Sequence, residues 1–165
     1  CLIFQSANAL EFPSEKENEE HMKKEQMHTE ASKKLFQSEN EADRKEGFSY
    51  LLKESKEGSA YSTGKIGWAF QMGWGVSKDI EKAKSLYVSA AKSGMTYWQY
   101  LLAHAYEQGY LGYEKSDQKH QYWLNFEPKV HNAKYECWVA NYYEMGIFPK
   151  NNAIYSANQQ ACDES

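Results

Sequence analysis

Ile66-Gly67-Trp68-Ala69-Phe70-Gln71-Met72-Gly73 has a form that the chain repeats twice more, in Leu102-Ala103-x-x-Tyr106-x-x-Gly109 and Val139-Ala140-x-x-Tyr143-x-x-Gly146. Each copy is an aliphatic residue, a tiny residue, an aromatic three further on, and Gly three after that. Gly73, Gly109 and Gly146 stand 36 and 37 residues apart. A fixed period in this range is the signature of a repeat architecture, in which one supersecondary unit stacks on the next. Stacked repeats make extended binding surfaces, so the period bears on function as well as on fold.

The spacing of apolar residues around each copy is helical. The first copy predicts a helix over Ala60 to Met72, a turn at Gly73-Trp74-Gly75-Val76, and a second helix over Ile80 to Lys92 capped by Asp79 and stopped by Gly94. The second predicts helices over Tyr97 to Gln108 and Asp117 to Phe126. The third predicts Ala133 to Met145 and Asn151 to Ala161. Upstream, Ser38-x-x-Glu41 reads as a capping box for a helix over Asn40 to Lys56, which Gly58 ends. Ser14-x-x-Glu17 opens a Glu/Lys-rich stretch to Lys34, whose scattered Met22, Met27 and Ala31 are too sparse for a strong buried face. That stretch reads as a solvated helix or stalk. The expected organisation is an N-terminal anchor or signal remnant (1–13), a polar helical stalk (14–38), a truncated leading repeat (39–58) and three helix pairs (59–165). The expected fold is an all-α solenoid of antiparallel helix pairs, with about three repeats.

Composition narrows the function. The C-terminal two thirds hold all five Trp and 12 of the 13 Tyr, whereas residues 14–34 hold neither. A net charge of −4 argues against nucleic acid as the main partner. No apolar run approaches the ~18 residues needed to span a bilayer.

The cysteines point to export. Cys1 at the head of the chain resembles the lipid-bearing first residue of a mature bacterial lipoprotein. Leu2, in place of Asp, then fits outer-membrane sorting, with the membrane touched only through that lipid. Two other readings stay open: Cys1-Leu2-Ile3-Phe4 as the end of a signal peptide's apolar core, with Ala7-Asn8-Ala9 as the cleavage site, and an arbitrary chain boundary. In the third copy, an antiparallel helix pair sets the start of its first helix beside the end of its second, and so Cys137 beside Cys162. A bridge there would need an oxidising compartment; the alternative is two buried free thiols.

The full pattern Ala60-x5-Ile66-Gly67-x-x-Phe70-x-x-Gly73-x-Gly75-Val76-x-Lys78-Asp79-x-x-Lys82-Ala83-x3-Tyr87-x-x-Ala90-Ala91-x-x-Gly94 resembles a nearly complete Sel-one-like repeat (SLR), a relative of the tetratricopeptide repeat. The second copy departs from it with Thr96 for the first Ala and Phe126-Glu127 for Ala-Ala; the third has a shortened loop. Asp43, Leu51 and Gly58 match the second helix of a leading repeat. The resemblance covers about Asn40 to Cys162. It implies a protein-binding adaptor, and cysteine-rich secreted members imply a staple between the helices of one repeat near Cys137 and Cys162.

In such an array the first helices line a concave face. The residue after the tiny position lies outside the buried set, which predicts that Trp68, His104 and Asn141 look outward. Tyr61 and Lys65, Tyr97 and Tyr100, and Lys134 and Trp138 lie one or two turns earlier on the same helices. These nine form the expected partner-binding strip, rich in the Tyr and Trp favoured at hot spots.

No nucleophile motif, phosphate loop or zinc spacing is present, and neither a cofactor nor a metal is expected. His21, Glu25 and His28 share a helix face without a buried shell to orient them. His104 and Glu107 are spaced as a base and its orienter, but a lone groove histidine is more often a hydrogen-bonding contact. The expected function is non-enzymatic binding of another protein in the cell envelope. Small exported SLR lipoproteins resemble immunity proteins that block phospholipase toxins of type VI secretion through an aromatic, partly acidic surface. The alternatives are a periplasmic scaffold or adaptor, a secreted host-interaction protein, and, last, an envelope hydrolase.

Overall fold

The computed structural model describes residues 15–126, 135–148 and 152–163, and these hold eight α-helices and no strand. The helices are α1 (Glu15–Gln37), α2 (Glu41–Lys56), α3 (Ala60–Met72), α4 (Ile80–Lys92), α5 (Thr96–Gln108), α6 (Asp117–Leu124), α7 (Tyr135–Glu144) and α8 (Asn152–Asp163). They pack as consecutive pairs, α1 with α2, α3 with α4, α5 with α6 and α7 with α8; α2 also meets α3, α4 meets α5, and α5 meets α7. The result is an all-α solenoid.

The recurring glycine is where each first helix stops. Gly73 and Gly109 both have φ 75°, and Gly146 has φ 71°. A side chain is disfavoured in this left-handed region, which lets the next amide turn back on the helix. Gly73 and Trp74 both donate to the Ala69 carbonyl, as Gly109 and Tyr110 do to that of Ala105. The motif aromatic marks where the chain re-enters the second helix. The N–H of the N-cap residue bonds the aromatic's carbonyl in the first two copies, Asp79 to Phe70 at 2.9 Å and Ser116 to Tyr106 at 3.0 Å. One turn later Lys82 lies over the Phe70 ring at 4.3 Å and Lys119 over Tyr106 at 4.9 Å. Asp79 and Ser116 accept from the N–H groups of Lys82 and Lys119, as N-caps do. Periodic sequence thus becomes periodic contact.

Tiny residues set how closely helices cross. A Cβ on Gly64 would fall on the Trp98 indole, and one on Gly67 would press the Tyr87 ring at 3.0 Å. Tyr87 and Trp98 stack on each other, centroids 5.3 Å apart, and carry the core from α4 into α5. The array is wound tightly. Buried Gln71 donates to the Ile147 carbonyl at 2.6 Å and accepts from the Tyr87 hydroxyl at 2.7 Å, tying α3 and α4 to the end of α7.

Two expectations change at the N-terminus. The stretch read as a solvated helix or stalk is a helix with exposed early turns, but Ala31 and Leu35 are buried against α2, which makes it the first helix of a leading pair. The backbones nearly touch there, since a Cβ on Gly47 would fall on the Ala31 carbonyl and the Leu35 amide. The leading repeat is therefore a full helix pair. The cap of α2 is Asn40, which accepts from the Ala42 amide. Ser38 instead donates to Asp43 at 2.8 Å and accepts from the Asn40 amide.

Cys137 and Cys162 are joined by a disulfide, 25 residues apart in sequence, across α7 and α8. A loop of this size constrains the unfolded chain by about 3 kcal/mol. Reduction, or Cys162→Ala, is expected to lower the unfolding free energy by about that amount, read as a shift of the urea midpoint with and without reductant. Gly47→Ala is expected to cost about 1–3 kcal/mol by overpacking and to expose α1 to proteolysis before the rest of the chain.

Candidate functional site

An open groove with a volume of about 570 Å³ lies between α1 and α3. Its floor is aromatic. Phe36 of α1 stacks on Trp68 of α3 with centroids 4.5 Å apart, and Trp74, in the turn after α3, leans on both at 5.9 and 5.7 Å. Arg44 lies over Trp74 at 5.2 Å. Each aromatic pair adds about 0.5–1.5 kcal/mol beyond its burial. Met145, at the end of α7, closes the far wall. It accepts a hydrogen bond from the Tyr97 hydroxyl at 3.3 Å, so the winding of the array brings a third repeat to the rim of the first groove.

A polar cluster locks α1 to α2 and α3 at the groove's edge. Buried Glu54 accepts from Ser62 and from His28 Nδ1, both at 2.6 Å. Lys65 Nζ reaches His28 Nε2 at 3.1 Å and the Ser32 hydroxyl at 2.7 Å. A carboxylate can only accept and an ammonium can only donate, so the two neighbours fix the imidazole as its Nδ1–H tautomer. Burial alone would raise the Glu54 pKa, but the hydrogen bonds from Ser62 and His28 outweigh it and hold the carboxyl below its ordinary value. The stability this bond network adds is present above that ordinary value and is lost as pH falls through the lowered one. Burial pushes the Lys65 amine down to about 8, against a weaker upward pull from Glu54. The Lys65 ammonium also lies 4.4 Å from the Tyr61 ring.

The nine expected strip residues separate into three groups. Tyr61 is exposed and Lys65 half-buried, and both line the groove. Trp68 lines it too, but as floor: only 5% exposed, it is not the outward residue expected. Its indole N–H has no hydrogen-bond partner among the described residues. His104 is likewise not outward, being 1% exposed. Its Nδ1 bonds Glu107 and its Nε2 bonds the Tyr143 hydroxyl, both at 2.8 Å. The cause is a side chain from another first helix: Phe36 of α1 covers Trp68 and Tyr143 of α7 covers His104, so the position after the tiny residue faces a helix rather than solvent. Tyr97 packs edge-on to Trp98 and Tyr142, whose hydroxyl donates to the Tyr97 carbonyl. Burial raises the Tyr97 hydroxyl pKa. Tyr100 and Asn141 are half-buried, Tyr100 against the core. Lys134, the Trp138 side chain and Cys1 lie outside the described residues.

The two weaker constellations resolve differently. His104 and Glu107 do meet, but the ring is buried and its other nitrogen is engaged by the Tyr143 hydroxyl. His21 and Glu25 pair at 3.4 Å on the exposed face of α1, while His28 is turned to Glu54 and Lys65. Among the described residues no group of three His, Cys, Asp or Glu could hold a metal, and no helix is long and apolar enough to cross a membrane.

The sequence reading missed half the groove. His28, Ser32 and Phe36 come from the segment set aside as a stalk. The available signal was Met27, Ala31 and Leu35 at intervals of four, a narrow apolar stripe in a charged background.

Floor and rim respond differently to truncation. Trp68→Ala is expected to cost about 3–5 kcal/mol, as for a buried Trp. Tyr61→Ala, at an exposed site, is expected to stay within about 0.5 kcal/mol of the parent. Urea unfolding of the two variants checks both values.

No protein-family model matches this sequence, and a comparison with curated proteins finds no match. Among solved structures the chain is similar to a Sel1 repeat protein from Oxalobacter formigenes, with 22% identity and a TM-score of 0.52. The match covers 73% of this chain and 92% of that one. At this identity the likeness is one of fold, and the fold it gives is the same helix-pair solenoid that the repeat period describes.

Proposed function

We propose that this chain is a non-enzymatic protein-binding module of the SLR kind, which takes a segment of another protein into the groove between α1 and α3. The carrying observation is the groove itself: an aromatic floor fixed by stacking, with Tyr61 and Lys65 at its rim. Rigid aromatic floors ringed by polar groups are the form that hot spots take. The engagement of both His104 nitrogens inside the core supports a non-enzymatic role. The disulfide supports an exported, envelope-located protein, because such a bridge persists in oxidising compartments.

Within this reading we place an immunity role, in which the partner is a phospholipase toxin of type VI secretion and the groove grips a segment near the toxin's active-site entrance. A general envelope scaffold is the alternative. The groove differs from the partly acidic surface expected for an immunity protein: its lining holds no Asp or Glu.

The test is whether a neighbouring gene encodes a lipase-type toxin and whether this protein inhibits it. The parent protein is expected to form a stoichiometric complex and suppress lipid hydrolysis. Tyr61→Ala combined with Lys65→Ala is expected to weaken the complex by about 30-fold or more, equivalent to the loss of a hot spot of about 2 kcal/mol. Unchanged inhibition by the double variant rejects the groove. A full complex with no effect on hydrolysis favours the scaffold.

A further inference from the structure

The groove is electrostatically unlike the chain that carries it. The protein holds 23 Asp and Glu against 19 Lys and Arg, yet the lining of this groove contains His28, Lys33 and Lys65 and no carboxylate. Arg44, over Trp74, adds a further cation at the end of the aromatic floor. Lys65 is the centre of this arrangement. Its ammonium is held by His28 and Ser32 and sits against the faces of Tyr61 and Phe36, 4.4 and 6.0 Å from the ring centroids.

No carboxylate among the described residues forms an ion pair with Lys65. The nearest acid in the network, Glu54, spends Oε2 on His28 and Ser62. A charge removed from water is costly unless it is paired, and Lys65 is only part-compensated. An anionic group entering the groove would complete the pair in a site already stripped of much of its water.

We propose that the groove recognises an acidic segment of the partner protein, seating one of its carboxylates on Lys65 and an adjacent apolar side chain on the Phe36–Trp68–Trp74 floor. The inference rests on the protein-binding reading above and adds the chemistry of the bound segment. Complementary charge of this kind selects among partners and speeds their encounter. The groups that face Lys65 are His28, Ser32 and Lys33 from α1, Tyr61 from its own helix and, through His28, Glu54 from α2; only Glu54 is acidic, and its charge is already engaged. The free amine titrates at about 8, and a bound carboxylate favours its charged form. Binding therefore takes up a proton near that pH and weakens as pH rises through it.

The test uses three fluorescein-labelled peptides of equal length, alternating Leu with Asp, Ser or Lys, and anisotropy titrations on the disulfide-intact protein at low ionic strength. The Asp peptide is expected to bind at least tenfold more tightly than the Ser peptide, and the Lys peptide not at all. Affinity for the Asp peptide is expected to fall between pH 7 and 9. Lys65→Met is expected to remove about tenfold of that affinity together with its pH dependence. Lys65→Arg is expected to keep the affinity but flatten the pH profile, because a guanidinium stays charged throughout. This second variant decides the matter if Lys65→Met fails to fold. Equal binding of the Ser or Lys peptide, or an Asp-peptide affinity untouched in a folded Lys65→Met protein, overturns the acidic assignment while leaving a binding groove. Failure of all three peptides also overturns it, and the toxin-inhibition assay then judges the protein-binding reading separately.

Discussion

The approach of helices at residues with little or no side chain governs the rest of this structure. Gly47 lets the α2 backbone lie against α1, Gly64 receives the edge of Trp98, and Gly67 receives the ring of Tyr87. Close crossings make room for large aromatics to serve as spacers between repeats, and the spacers then fix the pitch. This division between tiny and bulky positions explains why so many of the described aromatic rings are buried or half-buried. It also explains the tight winding, in which Gln71 meets the Ile147 carbonyl.

The groove follows from the same geometry. If α1 stood away from the array, Trp68 and Trp74 would form an exposed apolar patch. With α1 docked through Gly47, Phe36 stacks on Trp68 and the patch becomes a floor. The Glu54–His28–Lys65 chain then fixes the distance between α1 and α3, because each of its hydrogen bonds joins side chains from two different helices. Binding surface and helix packing are thus one construction. A buried Trp68 is a structural residue that also shapes a partner site, Lys65 both joins α3 to α1 and lines the groove, and Tyr61 is exposed at its rim.

Residues that repeat in sequence do not repeat in role. Trp68 and His104 occupy equivalent positions, and both are buried against a neighbouring first helix. One is held by stacking, and its N–H has no acceptor among the described residues. The other is held by two hydrogen bonds. The loop contacts repeat more faithfully, as the paired N-cap bonds and the lysines over Phe70 and Tyr106 show. Those contacts depend on local chain geometry, which a motif reproduces, whereas the faces of the first helices depend on whatever stacks beside them.

The sequence by itself determined the period, the helix pairs of the main repeats and the glycine stops. These are local matters: hydrophobic spacing, capping side chains and a left-handed φ are all written within a few residues. Helix α3 runs from Ala60 to Met72 and α4 from Ile80 to Lys92, the limits read from the sequence. Only the tertiary structure decided which side of each first helix is covered, because burial there is supplied by residues 30 or more positions away. Phe36 against Trp68 and Tyr143 against His104 are such pairs. The docking of α1 was hidden for the same reason: a stripe as narrow as Ala31 and Leu35 buries little area on its own, and becomes decisive only where Gly47 lets a second backbone meet it.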